Sequence, residues 1–365
     1  MYRAALVSFL VATTAGCASE SSEPLAEASS PPRPEALATR TVAEPSAEAP
    51  PPEQTQSGGF LGESDELRRR SLESEPIASV EKGSGGRSLG FKITLRDGTR
   101  GYFKPEQSFS AAHWWSEVAA YYVDRELGFG RVPPLVGRRF GWKELRAAAG
   151  DDRRVRELAI AADGTVRGAF IGWVDGGLEP LGLPREWERW VRVRAGLGTT
   201  PYQRPAEYRA MLGGSRDEGL EALDPRRRRA EASPEPAERA AELSDLIVFD
   251  YLIQNVDRWG GGFTNVRTRG ANGPLVFLDN GAGFWPDPRL PLMEARLRHL
   301  ERFRRGTVEA LERFDLARLE ARIARDPLAP VLSAKQLGDL GGRVEALRAH
   351  IGAMRAQHGE RIFFE

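Results

Sequence analysis

The sequence predicts an α+β fold in which antiparallel strands with one inserted helix come first and a mainly helical part follows. Between residues 83 and 177, short apolar runs alternate with turn residues, as strands joined by hairpins do. From residue 290 to 365, Leu and Arg recur at the spacing of amphipathic helices. With 365 residues and 41% hydrophobic side chains, the chain can bury one large core or two smaller ones.

The first seventeen residues, MYRAALVSFLVATTAGC, resemble an export signal that ends in a bacterial lipobox. Arg3 supplies the positive charge, an apolar run from Ala4 to Ala12 follows, and small residues precede Cys17. On this interpretation, a lipid on Cys17 anchors an exported bacterial lipoprotein to a membrane, on the periplasmic or cell-surface side. Thr14 departs from the pattern, which prefers Leu, so an ordinary signal peptide or a cytoplasmic N-terminus with a chance cysteine stay open.

Residues 18–58 predict a disordered tether. They are rich in Pro, Ala, Glu and Ser, and such a segment buries too little apolar surface to offset the entropy lost on folding. We therefore expect the folded part to begin at about residue 59, held away from a membrane surface by the tether.

A hairpin is predicted over residues 83–105. Apolar and polar residues alternate from 91 to 95, and Asp97-Gly98 is a turn dipeptide. Before the first strand, Gly85 and Gly86 would let the backbone approach a phosphate closely, although flexible linkers have the same composition. The return strand, GYFKP, carries Lys104 near its end.

A helix is predicted over residues 110–128, with Ser110 as candidate N-cap. Glu117 shares its apolar face with Trp114 and Tyr121, so it is either a buried charge with a partner or a sign of wrong register. Two further strands, in RVPPLVGRRFGW and GAFIGWVDGG, complete the first part.

The second part starts with a charged, Arg-rich stretch, residues 184–242, which we expect to be helical and variable. Its PRRRR run is most simply a solvated loop, with a docking patch for acidic partners as the alternative. The next segment, LSDLIVFDYLIQNVD, has helical spacing and ends at Asp257. GPLVFLD predicts a short strand that ends at Asp279, and helices from residue 290 onward would close the domain.

Lys104, Glu117, Asp257 and Asp279 occur in the order that phosphoryl transfer needs. A strand Lys neutralises nucleotide phosphates and a facing Glu fixes it, while one Asp orients the acceptor hydroxyl and another holds a bridging metal. Because burying a carboxylate costs several kcal/mol, the two Asp residues, which we expect to be buried, indicate a site. Each of the four alone is more simply a surface or turn residue, and their combination favours a nucleotide site.

The segments GYFKP, SEVAAYYVDRELGFGRVPPLVGR, LIVFDYLIQNVDR and VFLDNGAGF together resemble the secretory-pathway kinases that include four-jointed and the Golgi casein kinase. The resemblance extends from about Gly86 to the end of the chain, with a divergent middle. It implies a two-lobed atypical protein-kinase-like fold, with a strand-rich N-lobe over residues 59–177 that contains one key helix. A mainly helical C-lobe, with the variable 184–242 segment, would occupy residues 178–365.

The resemblance also implies roles and cofactors. ATP would bind with Mg²⁺ or Mn²⁺, its phosphates near Lys104 and the glycine-rich loop. Glu117 would pair with Lys104 or help to hold metal, Asp257 would be the catalytic base, and Asp279 would bind the metal.

Some positions depart from the family pattern. Trp259 stands where many relatives have His, and Asn265, the candidate second metal ligand, follows Asp257 at a longer spacing than in ordinary protein kinases. Relatives often carry disulfides, which this chain, with Cys17 alone, cannot form internally. Three residues that fit the pattern are expected to brace the site rather than react: Asn255, Arg258 and Asn280.

The leading hypothesis is a metal-dependent kinase that transfers the γ-phosphoryl group of ATP to a hydroxyl of a protein or glycan. A membrane-tethered pseudokinase or nucleotide-binding scaffold, and nucleotidyl transfer on the same fold, are the alternatives. An exported protein meets little ATP, which leaves the donor open, and the segment 178–242 is expected to select the acceptor. The balance of 52 basic and 52 acidic residues predicts no nucleic-acid partner.

Overall fold

The structure is a computed structural model that describes residues 59–84, 86–108, 113–183, 187–194, 202, 236–259, 263–285 and 290–364. The described residues belong to one compact unit within Thr55–Glu365. Cys17, the predicted tether, Gly85, Ser110 and the PRRRR run lie outside the described residues.

An antiparallel sheet makes up most of the first part. Its strands are β1 (Ile77–Lys82), β2 (Phe91–Leu95), β3 (Arg100–Pro105), β4 (Leu135–Gly141) and β5 (Thr165–Gly172). Their order in the sheet is β1-β2-β3-β5-β4. The predicted hairpin is confirmed as β2–β3, with Phe91 opposite Phe103 and a turn at Asp97-Gly98. Lys104 is thereby placed on a central strand, opposite Ala169 of β5.

Three helices accompany this sheet: α1 (Glu66–Ser74), α2 (Trp114–Glu126) and α3 (Trp142–Ala149). The predicted helix is α2, but its N-cap is His113, so the assignment of Ser110 is wrong. Nearly every residue of α2 is buried, because the helix lies against β4 and β5 on one side and helices of the second part on the other. Because of this position, side chains of α2 can contact both the sheet of the first part and the helices of the second.

The second part is mainly helical, as the hydrophobic spacing predicts. Its helices are α4 (Pro236–Ile253), α5 (Leu290–His299), α6 (Arg305–Glu312), α7 (Leu316–Ile323) and α8 (Ala334–His358). α8 begins with a capping box, in which Ser333 and Gln336 satisfy each other's backbone N–H groups. A small sheet, β6 (Leu178–Pro180), β7 (Arg267–Arg269) and β8 (Leu275–Val276), lies between α3 and α5 in chain order.

Two large apolar clusters hold these elements together. One joins α2 to the helices of the second part. The other fills the space between the large sheet, α1 and α3, where Phe103, Phe140 and Phe170 pack edge to face. The predicted α+β class is confirmed. Among the described helices, none is both long and apolar enough to cross a membrane.

Candidate active site

Lys104 lies between two carboxylates at the centre of the site. Its Nζ is 2.5 Å from Oε1 of Glu117 and 2.6 Å from Oδ1 of Asp279. Burial by itself would lower the pKa of Lys104, but attraction by Asp279 and Glu117 outweighs burial, so the pKa is raised. Lys104 therefore stays a cation at any physiological pH.

Glu117 connects α2 to the sheet and to the Asp279 segment. Its side chain is only 2% exposed. One oxygen accepts from Lys104, and the other accepts a hydrogen bond from the backbone N–H of Asn280 at 3.1 Å. Glu117 is thus a buried charge with partners, which removes the alternative of a wrong helix register.

Asp279 follows β8 in an unusual backbone conformation. Its φ is +60°, in the left-handed region that costs an ordinary L-residue energy and that Asp and Asn tolerate better than most. The expectation that its carboxylate is buried is wrong: the side chain is 52% exposed, because the buried run ends before it and the backbone turns there. Lys104 nevertheless lowers the pKa of Asp279, against the opposing effect of desolvation, and keeps it ionised.

Asp257 begins a short 3₁₀ turn, Asp257–Trp259, just after α4. It is partly buried, less than the sequence predicts. Its backbone N–H donates to Oδ1 of Asn255 at 3.2 Å, and Nδ2 of Asn255 donates to the carbonyl of Asp279, also at 3.2 Å. A single amide side chain therefore links the two segments that carry the candidate base and the candidate metal ligand.

Asp250 is a site-supporting residue that the sequence interpretation missed. It lies on α4 and both of its oxygens accept from Nε of Arg258, at 3.0 and 3.1 Å, with both residues fully buried. Burial raises the pKa of Asp250 to about 6, although Arg258 opposes the shift. The available signal was an Asp inside an apolar helical run, eight positions before the Arg of the NVDR motif.

The glycine-rich loop before β2 is held in place by Arg154, which the sequence interpretation also missed. Nη1 of Arg154 donates to the carbonyls of Gly86 and Ser88, both at 3.0 Å. Gly86 has a φ of +78°. A Cβ at Gly83 would lie 2.4 Å from Oη of Tyr102, so the backbone there passes directly over a β3 side chain. Glycines on both sides of the loop thus pack on Tyr102, which shares its face of β3 with Lys104.

Trp259 occupies an aromatic cluster rather than an open position in the base loop. Its ring stacks on Trp187 at 5.3 Å with 10° between the planes, and Tyr202 and Phe263 pack around it at 4.9 and 6.0 Å. Trp187 and Tyr202 belong to the stretch expected to be variable, and their packing attaches this stretch to the turn that carries Asp257.

Asn265 lies in a turn before β7, partly buried. Among the described residues it makes no hydrogen bond to Lys104, Glu117, Asp257 or Asp279. Its role as a metal ligand stays a prediction.

The oxygens around Lys104 suit a hard divalent cation. Glu117 and Asp279 share one ammonium group, so their carboxylates are close together, and Asp279 has a face open to solvent. Within the described ranges no group of three His, Cys, Asp or Glu side chains could hold a metal alone. The two carboxylates fit Mg²⁺ or Mn²⁺ bound through one or two carboxylates and the phosphates of a nucleotide.

Comparison with known proteins finds kinases among the chains that are similar to this one. A family model described as Golgi casein kinase, C-terminal, Fam20 matches residues 228–361. The human four-jointed box protein 1 is 29% identical over 322 residues, which cover 78% of this chain and 64% of that protein. The human extracellular serine/threonine protein kinase FAM20C is 26% identical over 319 residues, 76% of this chain and 52% of that protein. The chain thus spans less than two thirds of the length of these two relatives.

Solved structures show the same fold. Hydra Fam20 with sugar superimposes with a TM-score of 0.58 at 22% identity, over 80% of this chain and 90% of that one. The Golgi casein kinase with Mn/ADP bound gives a TM-score of 0.58 at 19% identity, over 83% of this chain and 80% of that one. Family model and curated relatives thus agree with the resemblance that the motifs indicate, and the solved structures share the fold: the chain is similar to the Fam20-type atypical kinases.

Proposed function

We propose that the protein is a metal-dependent kinase that transfers the γ-phosphoryl group of ATP to a hydroxyl of a protein or glycan. The observation that carries the proposal is the placement of Lys104 between Glu117 and Asp279. The proposal is supported by relatives whose names describe a serine/threonine protein kinase and a glycosaminoglycan xylosylkinase.

In this proposal each residue acts on charge or position. Lys104 neutralises the phosphates, and Glu117 and the strand keep its ammonium in place. Asp257 accepts the proton of the acceptor hydroxyl, and Asp279, with Glu117 beside it, would hold Mg²⁺ or Mn²⁺. The metal would supply charge neutralisation between the phosphates. These parts are preorganised, which is the main contribution a protein makes to phosphoryl transfer.

The test uses the full-length chain, with Asp257→Asn, Asp279→Asn and, as a matched control, Asp339→Asn on the exposed surface of α8. Thermal shift would be measured with ADP, with and without Mn²⁺, and ATP labelled on the γ-phosphorus would be offered with a mixed panel of proteins and glycans. We expect Mn²⁺-dependent stabilisation to disappear in Asp279→Asn and transfer to disappear in both site variants, while Asp339→Asn behaves as wild type.

The same experiment separates the alternatives. Incorporation of label from the α-phosphorus instead of the γ-phosphorus would establish nucleotidyl transfer. Nucleotide binding without transfer to any acceptor would favour the scaffold, and no binding at all would refute a nucleotide site.

We also propose that the protein is exported and carries its lipid anchor on Cys17, a proposal that rests on the N-terminal sequence. Cells given radiolabelled palmitate should label the wild-type protein and not Cys17→Ser, and globomycin should cause the unprocessed precursor to accumulate. A wild-type chain that stays unlabelled would end the lipoprotein interpretation. Because an exported protein meets little ATP, we would also replace ATP by other phosphoryl donors in the transfer assay.

A further inference from the structure

Arg258 and Asp250 form a buried ion pair, and Arg258 makes further hydrogen bonds to the segment that carries Asp279. Nη2 of Arg258 donates to Oδ1 of Asn280 at 2.5 Å, and Nη1 donates to the carbonyl of Leu278. The two accepting groups stand on either side of Asp279 in sequence. Arg258 itself follows Asp257 directly, so one guanidinium group spans helix α4, the candidate base turn and the candidate metal-binding segment.

We propose that Asp250 and Arg258 are positioning residues, which hold Asp279 in the left-handed conformation from which its carboxylate faces Lys104. The expected effect on metal binding rests on the proposed function, whereas the expected effect on the backbone at Asp279 does not. Asp250 acts through Arg258, and Arg258 acts through the carbonyl of Leu278 and the side-chain amide of Asn280, so both residues are positioning and not catalytic groups.

The conformation of Asp279 needs such support because a φ of +60° is unfavourable for a residue with a side chain. The neighbouring groups supply it from several directions. Asn255 binds the carbonyl of Asp279, Glu117 binds the N–H of Asn280, and Ser116 donates to the carbonyl of Asn280 at 2.6 Å. Arg258 is the member of this set that reaches both flanking residues at once.

A role in stability alone does not account for the pair. Replacing a buried ion pair by apolar residues of similar size is often neutral for stability, so the pair is weakly explained as a source of folding energy. The planar guanidinium group of Arg258, with donors fixed in several directions, matches acceptors on two segments, Asp250 on α4 and Leu278 and Asn280 beside Asp279. That geometry is what positioning requires.

The test compares Arg258→Lys with the double variant Asp250→Leu/Arg258→Met. Lysine keeps the charge, but its single nitrogen lacks the planar spread of donors that lets Arg258 reach all three acceptors where they stand. The double variant removes both charges, so that it can fold even if the single variant does not. Arg239→Lys is the matched control, since Arg239 forms a buried pair with Glu242 on the same helix and binds the carbonyl of Gly273.

Two readouts decide the proposal. Hydrogen exchange on peptides covering residues 276–285 should accelerate in both site variants and not in Arg239→Lys, with exchange in β2 and β3 unchanged. The Mn²⁺ concentration needed for half-maximal ADP-dependent stabilisation should rise about tenfold, as for other changes behind a metal ligand, while binding of ADP without metal stays as in wild type.

Wild-type exchange over residues 276–285 in the folded double variant would overturn the proposal. If wild type itself shows no stabilisation by ADP and Mn²⁺, the kinase function fails, and the exchange measurement still decides whether the pair positions Asp279. The two failures are therefore distinguishable.

Discussion

Lys104 shows how single residues determine the charge state of the site. Removing an ammonium group from water disfavours its charge, yet two carboxylates at hydrogen-bonding distance more than compensate. Glu117 is buried and makes two hydrogen bonds, so it fixes the ammonium group of Lys104, while the carboxylate of Asp279 stays accessible to solvent. The ammonium group of Lys104 thus connects the buried carboxylate of Glu117 to the carboxylate of Asp279, which is open to a ligand.

Asp279 allows charge and backbone conformation to be tested separately. Asn tolerates the left-handed region about as well as Asp, and Ala does not. Both Asp279→Asn and Asp279→Ala should lose Mn²⁺-dependent binding of ADP, but only Asp279→Ala should also lose about 1 kcal/mol of unfolding free energy relative to Asp279→Asn. Urea denaturation of the two variants measures the difference. Equal stabilities would show that the backbone at residue 279 relaxes without cost.

At this scale the sequence predicts residue types better than their environments. Order along the chain indicates Lys104, Glu117, Asp257 and Asp279, and the contacts of Lys104 with Glu117 and Asp279 are present. Which Asp is enclosed could not be predicted, because the answer depends on Arg258 meeting α4 and the Asp279 segment in three dimensions. Hydrophobic periodicity indicates on which face of its own helix or strand a residue lies, but not which other element packs against that face.

At the scale of elements, Gly283 sets how closely α2 and α4 approach the Asp279 segment. A Cβ on Gly283 would lie 2.8 Å from Oγ of Ser116, 3.0 Å from the carbonyl of Ile253 and 3.1 Å from that of Asn280. Two of these three atoms are backbone carbonyls, which cannot move without displacing an element. A glycine is required here for close packing.

Gly283→Ala should therefore destabilise the protein by about 1–3 kcal/mol and weaken Mn²⁺-dependent nucleotide binding. The matched control is Gly352→Ala, in an exposed position of α8 where a Cβ meets nothing within 4 Å. That change should stabilise the protein by about 0.5–1 kcal/mol, as Ala replaces Gly inside a helix. Chemical denaturation gives both values. A neutral Gly283→Ala would mean that the three segments separate easily.

Elements with strong local signals could be predicted, and those without could not. The β2–β3 hairpin has alternating residues and an Asp-Gly turn, and α2 has an apolar stripe. β1 was missed because its inward-facing positions are too few to alternate clearly, and α1 because its sequence is mostly charged. In RVPPLVGRRFGW the strand ends at Gly141 and α3 begins at Trp142, where Gly141 and Glu144 form the helix start.

At the scale of the whole molecule, buried acids make stability depend on pH. Asp245 on α4 accepts from Arg304 at 2.7 Å and from Thr307 at 2.6 Å, next to the start of α6. Burial raises its pKa to about 6, although both partners oppose the shift. Since the unfolded chain releases this proton near pH 4, the carboxyl contributes stability below about pH 4 and loses that contribution as the pH rises to about 6.

Asp245→Asn keeps the acceptor oxygen and removes the titration. The unfolding free energy of wild type minus that of Asp245→Asn should fall by about 3 kcal/mol between about pH 4 and pH 6. Denaturation curves of the two proteins at a series of pH values give this difference. Parallel curves for wild type and Asp245→Asn would contradict the raised pKa.

The contact between Lys104 and Asp279 joins residues 175 positions apart. During protein synthesis, Lys104 is added to the growing chain roughly 10 to 35 seconds before Asp279. During that interval the glycine-rich loop, Lys104 and Glu117 exist without the carboxylate that completes the site. An unfinished chain therefore lacks the contact between Lys104 and Asp279, and the candidate site is complete only after most of the chain has been produced.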